Sequence, residues 1–546
     1  MGTVGLVLAM LAAVIVSGLI ARALPFNLPR PVVQIALGAF IAAVSRSPVK
    51  LDPELFFLLF LPPLLFLDGW RIPNEGLRRD RGLILQLALG LVFFTVLGMG
   101  FFIHWMIPAI SLPIAFALAA IVSPTDPVAV SAIAARVPMP PRLMHRLEGE
   151  SLLNDASGLV CFRFAVAAAA TGSFSLGRAS LTFVQLAVGG VLIGTAVTYG
   201  IAWLKDQASR RLGEEAGSQV LISLLIPFAA YEVAEHLHCS GILAAVAAGI
   251  SMSHAELSGR ALAITRMQRT AVWDTLQYAL NGVMFVLLGE QLPAIFSGTV
   301  LVVRQSNHVS PWWLLVYVVA INFGLAALRF VWVWLSTRAA ELAAALRGTP
   351  APEKADARLI AVVSLAGVRG AITLAGVLTL PLALPDGSIF PARELVIFLA
   401  AGVILLSLFA ASIGLPRLLH DMPPPAERAH DAELDRGRVV AAEAAIRAIE
   451  ETQHKLASGT SQPDLYADAA TRVMELYRRR VQSHVRTDGE DAGEVRRSED
   501  VERQLRLAGL RAERDAIFAL ARSYEISDVT SRRLVRELDL LEERLR

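Results

Sequence analysis

Ser123-Pro124-Thr125-Asp126-Pro127 sits inside an apolar run, residues 110–134, whose only charge is Asp126, and the fold turns on how that run is read. Its length suits a membrane-spanning helix, for which roughly 20 apolar residues suffice. Two prolines three positions apart, however, remove two backbone donors and disfavour helical geometry at the residues before them. The run therefore predicts a helix that unwinds at membrane depth, a state tolerated only where backbone is buried in protein or lines a cavity. An ionisable residue in that gap makes a functional site the default; the bland alternative is a proline kink with Asp126 capping the next half-helix.

Working outward, a second run, 358–380, carries Gly367-Val368-Arg369-Gly370, in which two helix-weakening glycines flank an arginine. On the same ruler the apolar segments are 3–22, 30–45, 54–70, 82–105, 110–134, 142–171, 180–204, 219–237, 239–254, 270–293, 311–336, 358–380 and 393–418. If segments 1–6 and 8–13 are two six-helix units, both breaks fall on the fifth helix of a unit. Paired interruptions at equivalent positions point to an inverted-repeat secondary transporter with its site where the breaks cross. The fold class read here is an all-α polytopic membrane protein of about thirteen spans.

Charge distribution agrees. Lys+Arg number 50 and Asp+Glu 48 in 546 residues, 18% charged, below the roughly 25% usual for soluble chains. Residues 421–546 hold 48 of those charges. The chain thus divides into a transmembrane domain, 1–420, and a charged helical tail, 421–546, announced by Met422-Pro423-Pro424-Pro425. With the N-terminus outside, inward loops carry 19 Lys and Arg against 5 in outward loops, which places the tail in the cytoplasm. Ala21-Arg22-Ala23 has the form of a signal-peptide cleavage site, but no positive charge precedes the long uncharged run before it, so a retained first helix is expected. The tail shows apolar residues at helical spacing over 432–457, 463–485, 497–524 and 527–546, and contains no G-x-G-x-x-G; a helical regulatory or dimer-stabilising domain is expected. Cys161 and Cys239 read as buried small hydrophobes. A single soluble enzyme is excluded, and the modest net charge of +2 gives no reason to expect nucleic acid.

Segment six supplies the chemistry. In Glu150-Ser151-Leu152-Leu153-Asn154-Asp155, helical spacing stacks Ser151 on Asp155 and Glu150 on Asn154. Hydroxyl, carboxylate and freed carbonyl oxygens suit a hard cation such as sodium. A carboxylate in low-dielectric surroundings holds its proton more tightly than one in water, so proton and metal ion compete for Asp155.

These residues, together with Leu61-Pro62-Pro63-Leu64-Leu65-Phe66-Leu67-Asp68-Gly69 and the continuation Val128-Ala129-Val130, closely resemble the sodium/proton exchanger branch of the monovalent cation:proton antiporters, particularly its prokaryotic members. The joint match extends over most of the transmembrane domain and omits the tail; Thr-Asp-Pro alone would be weak. The resemblance implies a thirteen-helix fold with a dimerisation half and a mobile core half, exchanging one sodium, and often lithium, for one proton by an elevator-like motion. It implies that Asp155 carries ion and proton, that Ser151, Thr125 and Asp126 complete the shell around Na+, and that Asp68 acts near the ion through water. Asn154 stands where some electrogenic relatives have a second aspartate, a pattern resembling the electroneutral branch. Glu150 and Arg369 resemble the family's buried structural pair, in keeping with the need of an intramembrane arginine for a carboxylate.

Arg163 reads as structural, Glu232, Glu235 and His236 as an entrance funnel or an interface, and Asp274, Glu290, Arg329 and His104 as solvated or interfacial. A sodium-coupled symporter would need an organic-solute pocket, for which no residues stand out. An intramembrane aspartyl hydrolase using Asp126 and Asp155 would give Pro127 and Asn154 no role, and a gated channel gives no reason for one titrating carboxylate. What the resemblance implies is electroneutral exchange of Na+, with Li+ or K+ as further candidates, for H+ across the plasma (inner) membrane by a homodimer in the lipid bilayer, and no cofactor is expected.

Overall fold

The computed structural model describes residues 3–23, 29–45, 53–71, 86–126, 130–131, 141–171, 176–213, 215–256, 263–297, 312–347, 357–383, 390–420, 427–457, 463–485, 492–523 and 528–545. Pro127 and many of the loop arginines counted above lie outside them. The chain separates into two compact units, Met1–Pro425 and Ala426–Arg546.

In the first unit, α1 (Thr3–Ala23), α2 (Arg30–Ser45) and α3 (Pro53–Arg71) precede a π-turn, Gln86–Leu91, that runs into α4 (Val92–Met106). The helix α5 (Leu112–Val122) stops one residue before the Ser123-Pro124 step, as the missing proline donor requires. Long helices follow: α6 (Pro141–Thr171), α7 (Leu176–Leu212), α8 (Ala216–His236), α9 (Gly241–Glu256), α10 (Ala263–Ser297) and α11 (Trp312–Arg347). The second broken run gives two short helices, α12 (Ala357–Leu365) and α13 (Ala371–Leu378), before α14 (Arg393–Leu419). Each apolar segment read from the sequence overlaps one or two of these elements, and among the described residues seven helices are long and apolar enough to cross a membrane.

Packing sorts the helices into two groups. In one, α2 lies along α10, α3 along α9, and α9 also packs on α7 and α8. A Cβ at Gly38 or Gly289 would strike the main-chain carbonyl of Val286 or Ile35 respectively, so α2 and α10 approach backbone to backbone, the close packing that small residues permit between apolar helices. In the other group, α5 packs on α4 and α6, and α14 packs on α11, α12 and α13. A seam joins the groups where α3 meets α6 and α13, and α10 meets α13 and α14. Core residues include Ile103, Leu118, Val122, Val368 and Leu399, all fully buried, whereas Trp105, Trp203 and Phe323 project outward, as lipid-facing side chains do.

The second unit is helical: α15 (Glu427–Ala457) packs on α16 (Pro463–Val485), and α17 (Ala492–Arg522) on α18 (Asp528–Leu545). Ala442, Ala470 and Met474 are buried in this unit, as are Leu510 and Leu538. Arg514 of α17 donates to Asp539 and Glu542 of α18.

Candidate ion-binding site

The two breaks meet at the centre of the first unit. The main-chain N–H of Asp126 donates to the Val368 carbonyl at 2.7 Å, tying one unwound stretch to the other. The carbonyl of Val122, left without an intrahelical partner at the end of α5, accepts from Arg369 Nε at 2.8 Å. Arg369 also donates through Nη1 to the Gly367 carbonyl, and its main-chain N–H donates to Ser407 Oγ on α14 at 3.1 Å. A Cβ at Gly370 would overlap the Asp126 side chain, so this glycine is a condition of the crossing.

Against this crossing α6 presents Ser151, Asn154 and Asp155, which share one helical face and are all buried. Ser151 Oγ donates to the Thr125 carbonyl at 2.6 Å. Asn154 Nδ2 donates to Thr125 Oγ1 at 3.0 Å, while Asn154 Oδ1 is buried with no hydrogen-bond donor on it among the described residues. The carboxylates of Asp126, from the break, and Asp68, from α3 across the seam, lie close enough to repel a charge on Asp155. Asp155 is buried and the other two are half-buried, and neighbouring carboxylates in such surroundings are unfavourable unless a cation or protons compensate them. With hydroxyl, amide and carboxylate oxygens converging there, the arrangement is suited to a hard monovalent ion. Among the described residues no group of three or more His, Cys, Asp or Glu is placed to hold a metal ion.

Residues 8–420 match the family model described as sodium/hydrogen exchanger, transmembrane. The chain belongs to the sodium/hydrogen exchanger family. It is a multi-pass membrane transporter of the cation/proton antiporter class and not an enzyme. It is 41% identical over 98% of its length to the uncharacterized Na+/H+ exchanger YjcE of Escherichia coli K12, of which the match covers 97%. It is 38% identical, over 98% of its length and 77% of the relative's, to a Bacillus subtilis protein named sodium, potassium, lithium and rubidium/H+ antiporter. Its fold resembles the sodium proton antiporter MjNhaP1 of Methanocaldococcus jannaschii, with a TM-score of 0.56, 17% identity, and 77% and 99% of the two chains covered.

One expected contact in this exchanger differs from its sequence reading. Glu150 does not pair with Arg369. Both its oxygens are taken by Arg329 of α11, Nη2 to Oε2 at 2.7 Å and Nη1 to Oε1, with the two side chains only 3% and 1% exposed. Arg329 Nε also donates to the Val363 carbonyl at 2.9 Å, so one guanidinium links α11 to α6 and α12. Arg369 lies within electrostatic reach of both charges but spends its donors on main-chain carbonyls, because the two breaks have freed carbonyls next to it. Arg329, read from the sequence as solvated or interfacial, is instead buried; the available signal was its place in the middle of an apolar span, Trp312–Ala339, where a charge needs a partner.

Other ionisable residues fall as follows. Glu290, expected to be solvated, is buried and accepts from Gln291 Nε2 at 2.7 Å. Asp274 is exposed and pairs with Arg71. Arg163 is exposed, 3.9 Å from Glu235, whose Oε1 accepts from the Gly241 N–H that opens α9. Glu232 lies 3.6 Å from His236, and His104 Nδ1 is 2.8 Å from the Ile110 carbonyl oxygen. Cys161 and Cys239 are free thiols and half-buried rather than buried.

Proposed function

We propose that this exchanger carries Na+ in exchange for H+ across the plasma membrane, one for one, with both competing for Asp155. The observation that carries the reading is the buried Asp155, with Asp126 and Asp68 within electrostatic reach, beside a buried acceptor, Asn154 Oδ1, that has no donor among the described residues. In the cation-loaded state Asp155, Asp126, Thr125 and Ser151 supply oxygens to Na+, Asn154 orients Thr125, and Asp68 acts from α3 through water. In the return state a proton on Asp155 replaces the ion, so one positive charge crosses in each direction. Asn154, neutral where a second aspartate would add a titrating charge, supports electroneutrality. The name of the Bacillus subtilis relative supports lithium, potassium and rubidium as further cations.

The architecture in this reading is thirteen spans in two inverted six-helix repeats, broken at helices five and twelve. The N-terminus lies outside, the helical tail is cytoplasmic, and the working form is a homodimer. Alternating access has the group of α4–α6 and α11–α14 slide along the seam against the group containing α3 and α9, which supports the presence of a site residue, Asp68, on the far side of that seam.

Flux in proteoliposomes tests the proposal. Added sodium is expected to collapse a preset pH gradient at a rate insensitive to imposed voltage, and Asp155→Ala is expected to abolish the flux. Exchange that survives this substitution would refute the assigned carrier; a potential generated by exchange would refute the stoichiometry.

A further inference from the structure

A cavity of about 70 Å3, lined by none of the ion-site residues, lies among the ends of α7, α8, α9 and α10, roughly the space of several water molecules. Its polar lining comes from Lys205 and Asp206 at the end of α7, Gln219 at the start of α8 and Ser223 one turn on, Glu256 at the end of α9 and Arg269 near the start of α10. Consecutive antiparallel helices place those four ends on one side of the bundle. Two features put that side at a membrane surface. Trp203 and Leu204, next to the cavity on α7, are 67% and 60% exposed in an apolar span, and Arg210, Arg211 and Arg266 follow within two turns. A polar pocket between spanning helices at such a surface lies at the depth of the lipid headgroups, where side chains and headgroups meet.

The charges in the cavity are balanced and fixed. Arg269, 4% exposed, is held by an ion pair to Glu256 and stacks its guanidinium 5.3 Å from the centre of the Trp70 ring. Trp70 Nε1 donates to the other Glu256 oxygen at 2.7 Å. Lys205 lies 3.6 Å from Asp206. Two cations and two carboxylates side by side do not suit a purely anionic headgroup, which would meet both carboxylates. They suit a dipolar one, whose phosphate turns to Lys205 and Arg269 and whose ammonium donates to Asp206 and Glu256.

We propose that this cavity is a binding site for the headgroup of an aminophospholipid, a phosphate ester carrying a primary ammonium, drawn from the surrounding bilayer. Methylation of the ammonium removes its N–H donors, and replacement by glycerol removes its charge. Each change therefore costs charge-assisted hydrogen bonds, on the order of tenfold in affinity for the loss of one.

The test uses the full-length exchanger in detergent, stripped of lipid, with its thermal melting followed during titration by short-chain phosphatidylethanolamine, phosphatidylcholine, phosphatidylglycerol and inorganic phosphate. Phosphatidylethanolamine is expected to raise the melting temperature at about tenfold lower concentration than the other two lipids. Lys205→Gln and Ala202→Phe are each expected to remove that preference; the second fills the cavity and leaves both ion pairs in place, so it decides the matter if the first fails to fold. Equal protection by the three lipids, a preference that survives Ala202→Phe, or a full shift with inorganic phosphate alone would each overturn the proposal.

Discussion

Glu150 and Arg329 are separated by 179 positions in sequence and share a bidentate ion pair that is almost completely buried. Removing one partner of such a pair leaves an uncompensated charge, at a cost of about 3–5 kcal/mol, whereas replacing both by apolar or neutral groups is far milder. Arg329→Met is therefore expected to lower the melting temperature of the purified exchanger sharply, and Glu150→Gln added to it to recover part of the loss; a double variant as unstable as the two losses combined would show the pair is not coupled. Competition at Asp155 gives a second expectation, argued from proton linkage: as pH falls, more of the carboxyl holds a proton, so apparent sodium affinity drops, by a limit of about tenfold per pH unit for one proton displaced per ion. Sodium titrations of flux at several pH values measure that slope, and a pH-independent affinity would contradict it. The alignment of Ser151 with Asp155 was legible because helical spacing alone stacks those two, with Asn154 stacked on Glu150 along the neighbouring stripe. The partner of Glu150 was not, because the choice between Arg329 and Arg369 depends on which arginine lies beside freed carbonyls, and that is settled only when α5 and α12 are placed.

At the scale of elements, both breaks were readable from local chemistry, since missing proline donors and flanking glycines weaken a helix whatever surrounds it. Their crossing was anticipated from their equivalent places in the chain, and the Asp126 to Val368 hydrogen bond realises it. The seam was not readable: nothing in the Asp68 segment states that α3 will pack against α9 while its carboxylate acts on α6. Nor does the sequence signal the π-turn before α4. The crossing makes a sharp prediction at Gly370, whose φ of −114° any residue can adopt, so that only space forbids a side chain. Gly370→Ala is expected to push Asp126 off its present position, costing about 1–3 kcal/mol in overpacking and most of the sodium-dependent flux. Gly177→Ala, where an added Cβ meets nothing within 4 Å, serves as the comparison and is expected to transport normally. Undiminished flux in Gly370→Ala would mean that the close approach of the two breaks is not needed for transport.

At the scale of the molecule, charge and hydropathy divide the chain after residue 420 and its packing after Pro425. The last 126 residues hold nearly as many charges as the first 420, and the second compact unit begins at Ala426. Every residue assigned to the ion, the bracing pair of Glu150 and Arg329, and Arg369 at the crossing belong to the first unit, which carries the whole of the family match. The second unit has its own buried contacts in Met474, Leu510 and Leu538 and its own interhelical ion pairs at Arg514. If transport chemistry resides wholly in the first unit, a chain ending at Ala426 should still insert and collapse a pH gradient when sodium is added, and a fragment of residues 427–546 should be soluble and predominantly helical by circular dichroism. A truncated exchanger that remains monodisperse in detergent yet moves no protons would place an essential part of the cycle in the tail. A shift in the pH at which flux is half-maximal, with the maximal rate preserved, would instead assign the tail to regulation of the same site.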